Sequence, residues 1–191
     1  MCMKRILYLC LIAVVLFFAC HREKKGGNLT EKTQSQSELV QMFQQCDSLY
    51  KIGTPDTLKM CLFVEKAVEF AEAFPEEVIS PELLMRAGET CIRLAEYADQ
   101  KTLKIKYAKQ ALDIYNKVQK VYPDYPDLKM CYFNRGVVYD DILQDYESAK
   151  FEYSDFIHKY PDDSLSVQLK VYIQYLGKSP EEIMKEMKVE N

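Results

Sequence analysis

The sequence YFNRGVVYDDILQDYESAKFEYSDFIHKYP, residues 132–161, decides the fold of this chain. At helical periodicity it predicts two amphipathic helices joined by a short polar turn. In the first helix, Gly136 follows Tyr132 by four residues and precedes Tyr139 by three. A glycine between two large side chains lets another backbone approach closely, which is typical of packed helix pairs.

The second half of this stretch carries one apolar helix face that ends at a proline. Ala149, Tyr153 and Phe156 fall at positions i, i+4 and i+7, which lie on one side of a helix. Pro161 then ends the helix, because its ring clashes with the preceding turn. A single helix pair of this kind cannot bury its apolar face and therefore needs stacked neighbours.

These spacings resemble the tetratricopeptide repeat, a helix pair that stacks into solenoids. The family pattern has an aromatic residue, a small residue four positions later and a Tyr three after that, followed by Ala, an aromatic residue and a closing Pro. Relative to that pattern, the chain has one extra residue between Tyr139 and Ala149. The resemblance implies an all-α, right-handed stack of antiparallel helix pairs with about seven or eight helices. The positions that match the pattern are Tyr132, Gly136, Tyr139, Tyr146, Ala149, Tyr153 and Pro161. Of these, the ones expected to pack the repeats together are Tyr132, Gly136, Tyr139, Ala149 and Tyr153.

An earlier copy of the pattern precedes this stretch. LLMRAGET at 83–90 aligns with YFNRGVVY at 132–139, which places Ala87 at the position of Gly136. The following helix then repeats the offsets of the later copy up to Pro123. The packing positions expected in this earlier copy are Ala87, Ala111 and Tyr115.

Helical patterns also fill the chain around the two repeats. A helix ending near Gly53 and another ending at Pro75 predict a degenerate first pair. Ser80 is the expected N-cap of the third helix, and SPEE at 179–182 has the residues of a capping box. The predicted helical repeat domain covers 37–191, with its clearest repeats at 81–123 and 127–161 and capping helices at 163–188.

The chain begins with MCMKRILYLCLIAVVLFFAC, which resembles a bacterial lipoprotein signal. Lys4 and Arg5 precede an apolar run of about 13 residues, which is short for a bilayer span of roughly 20. The small Ala19 precedes Cys20, so we expect residues 1–19 to be removed and Cys20 to carry lipid. The alternative is an uncleaved signal anchor with an incidental cysteine.

A flexible tether is predicted at 20–36, because HREKKGGNLTEKTQS at 21–35 lacks apolar periodicity. The absence of Asp after Cys20 resembles the outer-membrane sorting of bacterial lipoproteins. We therefore expect a lipid-anchored protein of the bacterial outer membrane that faces the periplasm. The formal net charge of −4 argues against nucleic acid as a partner.

Four cysteines lie in the predicted repeat domain, and an exported protein could join them in two disulfides. Each also lies in a predicted helix among apolar neighbours, where cysteine serves as a small core residue. Free buried thiols are the favoured interpretation. No cysteine pair has close ligand spacing, and His21 and His158 are far from them in sequence, so no metal is predicted. The four are Cys46, Cys61, Cys91 and Cys131.

No catalytic constellation is recognisable in the sequence. It contains no GxSxG, no HExxH and no Gly-rich phosphate loop. Asp140 and Asp141 are adjacent, so on an α-helix they point about 100° apart, and a solvated face is expected rather than a paired acid and base. We predict no enzyme activity and no cofactor.

In the resembled family, the first helix of each pair lines a concave groove that holds a segment of a partner protein. Transferring those positions predicts a mixed apolar and acidic surface, which favours a partner segment with apolar anchors and some positive charge. Packing against the next repeat is the equal alternative for each apolar residue. The predicted groove residues are Leu84, Gly88, Cys91, Phe133, Val137, Asp140 and Asp141.

The lipid anchor, the proline-punctuated turns and the long repeats resemble envelope lipoproteins that accompany outer-membrane assembly or the Tol-Pal system. Those proteins are adaptors, so we expect a scaffold that binds another envelope protein and is held to the membrane through Cys20. The alternative is an accessory lipoprotein that binds a small ligand or glycan for an outer-membrane uptake system. That function would need an enclosed aromatic pocket.

Overall fold

The computed structural model describes residues 29–189, and within this range it contains helices and turns but no strand. The predicted all-α, tetratricopeptide-like stack is confirmed. The elements in chain order are α1 (Leu29–Lys51), α2 (Thr57–Ala73), α3 (Ile79–Tyr97), α4 (Lys101–Val121), α5 (Lys129–Val137), a π-helical segment (Val138–Leu143), α6 (Tyr146–Lys159), α7 (Ser164–Tyr172) and α8 (Pro180–Val189).

The predicted signal at 1–19 and the lipidation site Cys20 lie outside the described residues. Part of the predicted tether does not: α1 begins at Leu29, so residues 29–36 are helical. No Gly or Pro interrupts the sequence from there to Lys51, which allows one uninterrupted helix. None of the helices described between 29 and 189 has the length and apolarity needed to cross a membrane.

From Gln36 onward, the described residues form one compact unit. Within it, α2 packs on α3, α3 on α4, α4 on α5, α5 on α6 and α6 on α7. The helices α2, α4 and α6 each end two residues before a proline, as the sequence predicts. Short turns at these prolines therefore separate the successive helix pairs.

Ser80 does not cap α3, contrary to the prediction. α3 begins one residue before it, so Ser80 lies in the first helical turn, and its hydroxyl donates to the carbonyl of Phe74 at 2.6 Å. Ser166 makes the same bond to the carbonyl of Tyr160 at 2.6 Å. Each serine thus ties the start of a new helix pair to the end of the previous one.

The capping box predicted at 179–182 is confirmed. The Ser179 hydroxyl accepts from the Glu182 backbone N–H at 3.3 Å, and the Glu182 carboxylate accepts from the Ser179 N–H at 2.7 Å. Two N–H groups that would lack partners at the start of α8 are therefore satisfied.

The positions expected to pack the repeats are mostly in the core. Ala87, Ala111, Tyr115 and Ala149 are fully buried, and Tyr153 is almost so. Gly136 is also buried, while Tyr132 and Tyr139 are half-buried between neighbouring helices. The surrounding core contains Phe63, Leu83, Leu84, Val118, Val138 and Phe156.

Two glycines in the stack face tyrosine rings across a helix pair. A Cβ at Gly88 would lie 2.6 Å from Cζ of Tyr115, and a Cβ at Gly136 would overlap Cε1 of Tyr153. Gly88, and not Ala87, is therefore the counterpart of Gly136. The sequence alignment was one residue out of register, because it matched the arginine before Ala87 to the arginine before Gly136.

The extra residue of the later repeat is accommodated by the π-helical segment. A π-helix closes i→i+5 hydrogen bonds and so holds more residues per turn than an α-helix. The segment continues α5 without a break and ends at Gln144, which is left-handed with φ of 54°. The side chain of Asp145 then caps α6 by accepting from the N–H of Ser148 at 3.1 Å.

The four cysteines of the described residues are free thiols, as the sequence favours. Cys46, Cys91 and Cys131 are buried, and Cys61 is half-buried. Burial raises the pKa of the Cys91 and Cys131 thiols to about 12, which keeps them protonated at neutral pH.

Candidate functional site

A pocket of about 760 Å³ opens between α5, the π-helical segment, α6 and α7. We call it the terminal pocket, because it lies at the last helix pair of the stack. Its lining is mostly apolar and aromatic, with two carboxylates. The lining includes Phe133, Val137, Asp140, Asp141, Tyr153 and Tyr172.

Four of the predicted groove residues meet in this pocket: Phe133, Val137, Asp140 and Asp141. The other three do not line a groove. Leu84 and Cys91 are fully buried, and Gly88 is buried against the ring of Tyr115. The interior repeat is covered by helices on both sides. The helix face that is open at the last pair is therefore buried in the core at the interior repeat.

Aromatic rings form one continuous wall of the terminal pocket. The Phe133 and Tyr153 ring centroids are 6.1 Å apart, and those of Tyr153 and Tyr172 are 5.8 Å apart in an edge-to-face arrangement. Tyr153 is only 2% exposed, whereas Tyr172 is 45% exposed at the mouth. The wall therefore has a buried base and a more accessible rim.

Asp140 departs from the prediction of a solvated face, whereas Asp141 agrees with it. Asp140 is only 8% exposed, and the Tyr172 hydroxyl donates to its Oδ2 at 2.5 Å. Asp141 is exposed but lines the same pocket. The expectation assumed α-helical geometry, and the π-helical segment turns less per residue, so adjacent side chains diverge less.

The pocket carries unbalanced negative charge. Burial, followed by repulsion from Asp140 and Glu96, raises the pKa of Asp141. Burial and then the charge of Asp140 raise the pKa of Tyr153, and burial and the hydrogen bond to Asp140 raise that of Tyr172. Among the described residues, no lysine, arginine or histidine pairs with Asp140 or Asp141.

Sequence reasoning missed the wall that α7 contributes. It treated 163–188 as capping helices, yet α7 and the turn after it supply more than half of the lining. A signal was present, because Gln168, Tyr172 and Tyr175 fall at i, i+4 and i+7 and so share one face. That face borders the pocket, while Leu169 of the same helix packs into the core beside α6.

A second cavity of about 630 Å³ lies between α2, α3 and α4. Its charged lining is mixed, with Lys106 and Lys109 among Glu65, Glu69 and Asp113. Because positive and negative side chains are present in similar numbers, this cavity has no marked preference for a ligand of either charge. The terminal pocket is therefore the more selective site.

The chemistry of the terminal pocket favours binding. Its polar groups are carboxylates, tyrosine hydroxyls and one amide, and it contains no serine, cysteine or histidine. Across the described residues, no group of three or more His, Cys, Asp or Glu side chains is arranged to hold a metal ion. The pocket can take an apolar group together with a positive charge.

Comparison with known families shows that residues 130–163 match the model described as Tetratricopeptide repeat. The matched segment comprises α5, the π-helical segment, α6 and the turn before α7. Repeats of this family typically serve as non-catalytic scaffolds for other proteins. Comparisons with curated proteins and with solved structures gave no match.

Proposed function

Because the chain contains a tetratricopeptide repeat, we propose that it is a non-catalytic scaffold that holds a segment of a partner protein in the terminal pocket. One observation carries this proposal: the matched repeat and α7 together enclose an apolar pocket with carboxylates that have no ion-pair partner among the described residues. Apolar anchors of the partner would fill the aromatic wall, where a few central residues dominate binding in most interfaces.

Site-specific photocrosslinking in the producing cells tests this function. A photoreactive residue at Val167, which is 63% exposed and lines the pocket, should capture one defined protein. The matched control is Lys150, which is exposed on α6 but does not line the pocket. The same products from both positions, or none from Val167, would exclude the terminal pocket as the partner site.

The proposed location is the outer membrane, with lipid on Cys20 and the repeat domain facing the periplasm. Support comes from the sequence, where Lys4 and Arg5, a short apolar run and Ala19 precede Cys20. The partner would then be another envelope protein. Labelled palmitate should enter the native chain but not the Cys20→Ala variant, and mass spectrometry should find residues 1–19 removed. An unlabelled mature chain that keeps those residues would refute this location.

A second candidate is an accessory role in binding a glycan or small ligand. The observation that favours it is the run of Phe133, Tyr153 and Tyr172 beside two carboxylates, since sugars stack on aromatic rings and bond to acids. Saturable binding on a glycan array that is lost in Tyr172→Ala, with no protein crosslinked from Val167, would favour this role over the scaffold.

A further inference from the structure

We propose that Asp140 and Asp141 form a subsite for one lysine or arginine side chain of the partner segment, flanked by the aromatic wall of the terminal pocket. This inference rests on the proposed function and specifies the chemistry of the partner. It predicts a cationic residue next to apolar anchors.

Burial of Asp140 is the first argument. A carboxylate that is only 8% exposed loses most of its hydration, and this loss is costly unless a cation or several donors compensate. The Tyr172 hydroxyl, at 2.5 Å from Oδ2, and the Tyr153 hydroxyl, which also interacts with Asp140, are neutral groups, so neither supplies a positive charge. Within residues 29–189, no cationic side chain pairs with it. A cation from a partner would supply the missing charge.

The neighbouring charges strengthen the negative potential. Asp141 lines the same pocket as Asp140, and its pKa is raised by burial and then by repulsion from Asp140 and Glu96. Glu96 accepts a hydrogen bond from the Tyr50 hydroxyl at 2.7 Å, so it too has a neutral donor. Binding of one cation would relieve this repulsion, and the field would attract it from solution.

The shape of the aromatic wall fits a long cationic side chain. Lysine and arginine bury their aliphatic stems on apolar surfaces while the charged end remains near polar groups. Here the rings of Phe133 and Tyr153 lie beside the carboxylates, and the half-exposed Tyr172 stands at the mouth. A cation near tyrosine rings gains further from cation–π attraction. The pocket therefore offers both parts of the side chain a matching surface.

The contrast with the interior repeat supports a ligand at this position. Arg93 lies as far after Gly88 as Asp141 lies after Gly136. Arg93 pairs with Asp47 of α1 at 2.9 Å, so the charge at the interior position is balanced within the chain. At the terminal position the carboxylate is left for an external cation.

Selection from a random dodecapeptide display library, with the full chain immobilised, tests the subsite. We expect the selected peptides to carry Lys or Arg beside an aromatic or aliphatic residue. Replacing that Lys by norleucine, or that Arg by citrulline, should weaken binding to the native chain by about tenfold or more, as for loss of a charge-assisted hydrogen bond. The same replacement should matter much less for an Asp140→Asn/Asp141→Asn double variant, which isolates the pairwise interaction.

Two further variants make the outcomes distinguishable. Asp162→Asn removes an exposed acid outside the pocket and should leave the tenfold effect intact. Val171→Trp partly fills the pocket from an exposed position and should abolish binding of the selected peptides. Two results would overturn the cationic subsite but not the proposed function. One is selected peptides that need an open pocket but lack Lys and Arg. The other is peptides in which replacing the Lys or Arg weakens binding equally for the native chain and the Asp140→Asn/Asp141→Asn variant. Peptides that are indifferent to Val171→Trp would overturn the proposed function itself, and circular dichroism verifies that each variant is folded.

Discussion

The contacts Gly88–Tyr115 and Gly136–Tyr153 are the same packing device in two settings. Tyr115 is fully buried, and its hydroxyl accepts a hydrogen bond from the Asn134 amide of the next helix pair at 3.2 Å. Tyr153 is nearly as buried, but one side of its ring forms the wall of the terminal pocket. A stacking position thus becomes a recognition surface when the following helix leaves space beside it.

The difference arises from what covers each tyrosine. A complete helix pair follows Tyr115, and the ring lies fully buried in the core that α1 to α5 and the π-helical segment share. Tyr153 is followed by α7, whose face carries Gln168 and Tyr172 toward the pocket. The two regions should therefore respond differently to the same substitution, because only one has room to relax.

Truncating the two tyrosines should produce the largest effect. Tyr115→Ala leaves a closed cavity and an unpartnered Asn134, so we expect the free energy of unfolding to fall by about 4 kcal/mol. Tyr153→Ala should lower it by about 2 kcal/mol, because solvent can enter the enlarged pocket and side chains can move into it. Urea titration followed by circular dichroism measures both. Equal losses in the free energy of unfolding would mean that the space of the terminal pocket does not reduce the cost of removing the Tyr153 ring.

Adding one methyl group at the glycines is the converse test. Gly88→Ala should lower the free energy of unfolding by about 2 kcal/mol, since Tyr115 has no free space and overpacking outweighs the gain in helix propensity. Gly136→Ala should cost about 1 kcal/mol or less, because the Tyr153 ring can shift toward the pocket. A larger loss in the free energy of unfolding for Gly136→Ala than for Gly88→Ala would contradict the expected difference between the two regions.

Much of the stack was predictable because its signals are local. Pro75, Pro123 and Pro161 end three helices at the expected places, and the residues around Gly136 are those of the matched repeat. The register of the earlier copy was not predictable, since Ala87 and Gly88 are both small and adjacent. Only the position of the Tyr115 ring distinguishes them.

The site was predictable only where it follows from the repeat pattern. Phe133 and Val137 came from aligned positions, whereas the burial of Asp140 depends on a π-helical segment that no propensity rule indicates. An extra residue was visible in the sequence, but an insertion can equally lengthen a turn. The contribution of α7 to the pocket was not predictable, because the sequence does not show that the helix after Pro161 leaves a gap at Tyr153.

Removing the hydroxyl of Tyr172 tests how the terminal region holds its buried acid. Tyr172→Phe keeps the ring but leaves Asp140 without its donor at Oδ2, so we expect the free energy of unfolding to fall by about 1 kcal/mol. Tyr175→Phe, in the same pocket, is the control and should change it by less than about 0.3 kcal/mol. No difference between the two variants would contradict that role of the Tyr172 hydroxyl.

The smallest expected effect lies at Asp141, where the terminal region differs in charge from the interior. The pKa of Asp141 is raised by burial and by its acidic neighbours, so the folded chain holds this proton more tightly than the unfolded chain. Stability therefore falls as pH rises from the ordinary range of aspartate, about 3.9, through the raised value.

Asp141→Asn should remove this penalty and add about 0.5 kcal/mol at neutral pH, a small gain because the side chain is partly solvated and screened. The gain should vanish below about pH 3, where the native carboxyl is also protonated. A variant that is less stable at neutral pH, or more stable at every pH, would show that the unbalanced charge at this end of the stack is not a cost that a cationic partner could relieve.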